Sequence, residues 1–178
     1  MLRSIDYCFR NKNIVSFYCN TEDKCEVLVG YIKKYNDDEI LIAHISSHGY
    51  YDGFILKHIA DIYRIEYDGK YEKKIETLYK RRQATHPEIS TFDPNDDEIL
   101  FSLLDFAKNE EHIASIGFAD DDVVKGFING YNDDVVYIEA IDEFGAENGI
   151  SIININDIIT LAIDTDDEQD LKVLHSIQ

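Results

Sequence analysis

Apolar positions follow two different periods along the chain, and the switches between them mark its elements. Runs rich in β-branched and aromatic residues at 14–19, 25–35, 39–45, 54–59 and 62–67, separated by polar breaks, predict five short strands. A helical period then takes over at 71–82, where Ile75 and Leu78 share one face. Leu171 and Leu174 do the same within 167–177. Short helices are also expected ahead of the strands, around Asp6-Tyr7 and Asp105-Phe106. The second of these is the better specified. Asp93 suits an N-cap, Pro94 a first helical position, and Asp96, Asp97 and Glu98 the positive end of the dipole, before Ile99, Leu103 and Phe106 at helical spacing.

The order helix, five strands, helix occurs twice. A shift of 96 residues lays 30–68 over 126–164 without a gap, with 14 of 39 positions identical. Two copies of that length make a tandem duplication rather than a stacked solenoid, because repeat arrays need three or more units to close a core. The expected organisation is a first module at 1–82, a linker at 83–92 and a second module at 93–178. Tyr35-Asn36-Asp37-Asp38 and Tyr131-Asn132-Asp133-Asp134 read as hairpin tips, and Asp52-Gly53 and Asn148-Gly149 as type I′ turn dipeptides. Gly30 and Gly126 interrupt otherwise solid strand runs. A mid-strand glycine kept in both copies marks a bend or a close backbone approach.

Charge separates the copies where the pattern does not. The chain of 178 residues carries a net charge of -19, yet 1–92 hold 14 acids against 14 bases, whereas 93–178 hold 22 acids against Lys108, Lys125 and Lys172 alone. A surface of that sign repels phosphate, which disfavours nucleic-acid binding by the second copy. Cys8, Cys19 and Cys25 all fall in the first copy and are odd in number, so they form no disulfide framework. With no long apolar run and no signal pattern at the N-terminus, the expected setting is cytoplasmic, without a membrane role.

The run 29–36, with Gly30, Ile32, Tyr35 and Asn36, and its second version at 125–132 resemble the first motif of the Sm-like proteins. The resemblance spans most of the chain, once per copy. It implies a mainly β fold with short helices, an α+β arrangement of two tandem, five-stranded, strongly bent antiparallel barrels of Sm-like or SH3-like kind. It also implies assembly through the edges of strands four and five. The family's RNA-pocket residues are missing: Ile40 and Val136 stand where an asparagine is expected, and no Arg-Gly pair precedes the last strand at 58–62 or 154–158. The scaffold carries over, and the uridine pocket does not.

Candidate chemistry is sparse. Asn36, Asp37, Asp38, Asp61 and Asp68 recur as Asn132, Asp133, Asp134, Asp157 and Asp164, serving either as turn formers or as oxygen ligands for a divalent cation. His44, His48 and His58 form the one histidine group worth testing as a metal or hydrolytic site, although their spacing fits no short zinc pattern. Ser46-Ser47-His48 lacks a base-orienting partner in sequence. Tyr35, Tyr50 and Tyr51, with the basic stretch Lys70, Lys73, Lys74, Lys80, Arg81 and Arg82, are the interaction candidates. No cofactor is expected. The leading expectation is a non-catalytic interaction or assembly module with a protein partner or a second copy of itself. RNA or single-stranded nucleic-acid binding by the first copy and a metal-dependent hydrolase using the histidines are the alternatives.

Overall fold

The computed structural model describes residues 1–20, 25–89, 98–119 and 122–178. It divides into two compact units, Met1–Glu88 and Ile89–Gln178. Unit 1 runs α1 (Leu2–Arg10), β1 (Ile14–Asn20), β2 (Cys25–Tyr35), β3 (Glu39–Ile45), β4 (Tyr51–His58), a 3-10 turn (Ile59–Asp61), β5 (Ile62–Tyr67) and α2 (Lys70–Arg81). Unit 2 repeats it as α3 (Ile99–Asn109), β6 (Ile113–Gly117), β7 (Val123–Tyr131), β8 (Val135–Ile141), β9 (Glu147–Asn154), a 3-10 turn (Ile155–Asp157), β10 (Thr160–Ile163) and α4 (Asp166–His175). Most of the cap proposed for α3, at Asp93, Pro94, Asp96 and Asp97, lies outside the described residues. Glu98 occupies the N-cap without a capping side-chain bond. No helix among the described residues is long and apolar enough to cross a membrane.

All pairings within a unit are antiparallel, and the second strand is central. In unit 1 the order is β5-β1-β2-β3-β4, and in unit 2 it is β10-β6-β7-β8-β9, in neither case closed into a ring. The register slips at matching places in the two units. One slip falls between Ile32 and Lys34 and between Ile128 and Gly130. A second falls between Ala43 and Ile45 and between Glu139 and Ile141. Extra residues on one strand bend it and increase its twist, so both sheets curl at the same points.

That second slip corrects the reading of Asp52-Gly53 and Asn148-Gly149 as hairpin turns. The turn is made earlier, by Ser46–Tyr50 and Asp142–Ala146 backbone bonds, with Gly49 and Gly145 at positive φ. Gly53 and Gly149, also at positive φ, instead sit in the bulges of β4 and β9. The other repeated residues have local reasons to recur. Asn36 Oδ1 accepts from the Asp38 and Glu39 amides, and Asn132 Oδ1 from those of Asp134 and Val135, which holds each tip. Asp68 and Asp164 occupy left-handed positions at φ 61° and 60°, which aspartate tolerates better than most side chains.

The cores match in part, with Lys125 and His175 standing in unit 2 where Val29 and Tyr79 stand in unit 1. Ile14, Val29, Ile45 and Ile75 pack with Tyr31 and Tyr79 in unit 1, and Ile113, Ile141 and Leu171 with Phe127 in unit 2. A polar clasp ties each leading helix to the second strand: the Tyr35 hydroxyl donates to Asp6 at 2.6 Å, and Tyr131 bonds Asp105. Tyr35 also meets Phe9 edge-on at 5.5 Å, as Tyr131 stacks on Phe101 at 5.3 Å.

Candidate functional site

Unit 1 contains an open cleft of about 760 Å³ where α1, β2, α2 and the segment after α2 meet. Its floor is apolar, from Ile32 and Ala43, and its walls are the rings of Phe9, Tyr31, Tyr79 and His86. Tyr31 and Tyr79 lie 6.1 Å apart, tilted by 57°. Burial is the main reason that the Tyr31 hydroxyl is pushed up to about 12, with Glu76 close by, and burial likewise raises Tyr79. Both remain protonated donors at neutral pH.

His86 fixes the wall formed by the chain after α2. Its Nε2 is 2.7 Å from the His44 carbonyl oxygen and so donates there, which leaves Nδ1 to accept from the Tyr79 hydroxyl at 2.7 Å. The ring meets Tyr51 at 4.6 Å and Phe54 at 5.4 Å, edge-on in both cases. Burial, with Lys33 and His44 adding repulsion, brings the imidazole down to about 4 despite the backbone bonds that favour its charge. Because the folded state holds this proton less tightly than the usual 6.5, its contribution is complete above pH 6.5 and is lost as pH falls toward 4. The loss comes to about 2 to 3 kcal/mol. Thermal midpoints between pH 7 and pH 4 will therefore drop more steeply in the native chain than in His86→Phe. Parallel slopes would refute this.

The histidines of the candidate metal group are not brought together. His44 Nδ1 lies 3.0 Å from Asp52 Oδ2, and His48 Nδ1 lies 3.2 Å from the Ser47 hydroxyl. His58 pairs across from Glu39, five residues along β3 from His44, a separation of about 16 Å. Among the described residues no group of three His, Cys, Asp or Glu side chains could hold a metal ion. Asp61 Oδ2 is buried without a hydrogen-bond partner among those residues, so that oxygen does not pin the turn as the sequence suggests. In unit 2 the corresponding 3-10 turn is held by Asn154, whose side chain accepts from the Asn156 amide.

The three tyrosines proposed for interaction do not form one platform. Tyr35 is held by Asp6 and Phe9 at one end of β3, opposite Ile40, while Tyr51 is half-buried at the other end, opposite Ile45. Tyr50 is exposed, but the Arg82 guanidinium lies 3.9 Å over its ring and also donates to the His48 carbonyl at 2.9 Å. Lys73, Lys74 and Arg81 project from α2 as exposed residues. Lys80 pairs with Glu76 at 2.6 Å.

One buried arrangement escaped sequence reading. Glu72, 2% exposed, accepts from the Ser16 hydroxyl, and Glu168, 3% exposed, accepts from Ser115 at 2.5 Å. Glu72 and Glu168 are 96 residues apart, so the repeat itself carried the signal, just beyond the block of dense identity. Each carboxylate sits at the third residue of its helix and faces the first strand of its unit.

Fold and site together define the class: a curled five-stranded β unit with flanking helices that occurs twice in the same element order, the first carrying an aromatic cleft with cations at its edge. No family model, curated protein or solved structure matches the chain.

Proposed function

We propose that the chain is a non-catalytic assembly module of two Sm-like barrels that joins copies of itself through sheet edges. The curl supports the barrel part, since the fifth strand of each unit returns to pair with the first and bulges recur at matched positions. The assembly part rests chiefly on β9. This strand ends the order of unit 2 and presents Ile150 and Ile152 to solvent at 66% and 64% exposure. Phe54 and Leu56, at the same positions of unit 1, are buried. An edge strand with an exposed apolar row is a template for another strand. Tyr137 on the neighbouring β8 pairs with Ile152 and extends the row.

The resemblance names the complementary edge as a fifth strand, and β5 ends the order of unit 1 with Tyr63 and Tyr67 exposed. Head-to-tail contact of β9 with β5 of the next copy would place acidic unit 2 beside unit 1, whose α2 bears Lys73, Lys74 and Arg81. Sedimentation at micromolar concentration in low salt should give a mass above the 20.6 kDa of one chain. Replacing both Ile150 and Ile152 by Lys should return it to one chain while circular dichroism stays unchanged. A native chain that sediments as a compact monomer in low and high salt would sink the proposal.

A further inference from the structure

The cleft of unit 1 differs from its counterpart in a way that the shared fold does not require. In unit 2 a hollow of about 320 Å³ overlaps that place only in part, sharing Phe127, Glu139 and His175 where unit 1 has Tyr31, Ala43 and Tyr79, and otherwise lying over β8 and β9. The exchange of Ala43 for Glu139 puts a carboxylate where unit 1 has only a methyl group. The rim changes in the same sense. Arg10, Lys12, Lys33 and Lys80 line the unit 1 cleft, and the repeat places Asn109, Glu111, Asn129 and Ser176 at those positions of unit 2. The correspondence is structural as well, since Lys12 and Glu111 share left-handed backbone at φ 53° and 52°.

Four cations therefore surround a cleft with a single lining acid, Glu76, in a protein whose net charge is -19. Some of that positive charge is partly met within the unit. Arg10 pairs with Asp6 at 2.8 Å and Lys80 with Glu76 at 2.6 Å, whereas Lys33 lies 3.9 Å from the highly exposed Glu88. His86, its two ring nitrogens engaged by Tyr79 and His44, adds an uncharged aromatic wall at neutral pH. Aromatic walls, an apolar floor and a cationic rim match a planar ring that carries an anionic group, and the volume lies in the range of small-molecule pockets.

We propose that this cleft is a binding site for a small molecule that joins a planar ring to a carboxylate or phosphate. The ring lies against Tyr31, Tyr79 and Phe9, and the anion faces Lys12, Lys33 and Lys80. The site is independent of the strand edges invoked for assembly, so either reading can fail without the other.

Calorimetric titration of the full chain with 2-naphthoate and with adenosine 5′-monophosphate distinguishes the two anion types, and 2-naphthol and adenosine serve as their uncharged counterparts. At least one anion should bind one per chain in the micromolar range and at least tenfold more tightly than its counterpart. The triple variant Lys12→Glu, Lys33→Asn, Lys80→Ser installs the residues that unit 2 carries, which that unit accommodates in the same fold. It should weaken the anion at least tenfold and leave the uncharged compound unchanged. His86 provides a second reading, because its ring resonances should move on binding. Three results would overturn the proposal: no heat and no shift with either anion up to millimolar concentration, equal affinity for charged and uncharged compounds, or a folded triple variant that binds the anion as the native chain does.

Discussion

Gly30→Ala will destabilise unit 1 by about 3 kcal/mol, and Gly126→Ala will do the same to unit 2. A Cβ built on Gly30 collides with the Ala43 carbonyl oxygen and with the Ile42 side chain, and one on Gly126 meets the Glu139 carbonyl and Ile138 in the same way. The obstacle is backbone, which no rotamer change can relieve. Gly30 pairs opposite His44, so the strands must separate where β3 is pinned by its neighbours on both sides. Ladder hydrogen bonds worth about 1 kcal/mol each are lost, and strain adds about 1 to 3 kcal/mol. Reduced freedom of the unfolded chain returns less than about 1 kcal/mol. Gly130→Ala is the control. It lies in β7, yet its Cβ would meet only Lys108 Nζ at 3.9 Å, so the same substitution should change stability by less than about 0.5 kcal/mol. Denaturant midpoints for the three variants decide the matter, and a Gly30→Ala protein as stable as Gly130→Ala would remove the close-approach account.

The glycines were legible because both copies keep them, and the same comparison exposed the order of elements and the tip asparagines. Local turn chemistry misled where tertiary register prevailed. Asp52-Gly53 has the composition of a two-residue turn, but Gly49 satisfies the turn first, and Gly53 is used in a bulge that lets Phe54 continue on the buried face. The cleft was illegible for a different reason. Lys12, Lys33 and Lys80 are unremarkable apart, and they line one cleft only because the turn after α1, β2 and α2 converge. Histidine proximity in sequence misdirected attention to His44, His48 and His58, whereas the consequential ring is His86, in a segment that reads as linker. Its role depends on the His44 carbonyl 42 residues away, a partner that no local pattern announces.

The buried carboxylates should behave as clamps. Glu168 Oε2 receives the Thr165 amide at 2.9 Å and the Thr165 hydroxyl at 2.5 Å, and its other oxygen receives Ser115. One side chain thus closes the N-terminus of α4 and fastens that helix to β6. Truncation by Glu168→Ala removes its half of the capping box with Thr165, worth about 1 kcal/mol, and a hydrogen bond to a carboxylate, worth about 1.5 to 3 kcal/mol, and it leaves the Ser115 hydroxyl buried without a partner. The expected loss is about 3 kcal/mol. Ser115→Ala alone should cost about 2 kcal/mol, since it strips one bond from a buried acid. The double variant should lose clearly less than the sum of the two, by about 1.5 kcal/mol, because a single bond links the pair. The cycle built on Ser16 and Glu72 should give a similar coupling in unit 1. Its cap residue is Gly69, so the separate capping contribution should be smaller there. Denaturation cycles on both pairs measure these energies, and couplings below about 0.5 kcal/mol would mean that helix and strand are held by apolar packing alone. A coupling of the expected size in both units would also explain why glutamate recurs 96 residues apart outside the dense repeat, since each copy depends on it to seat its closing helix on its first strand.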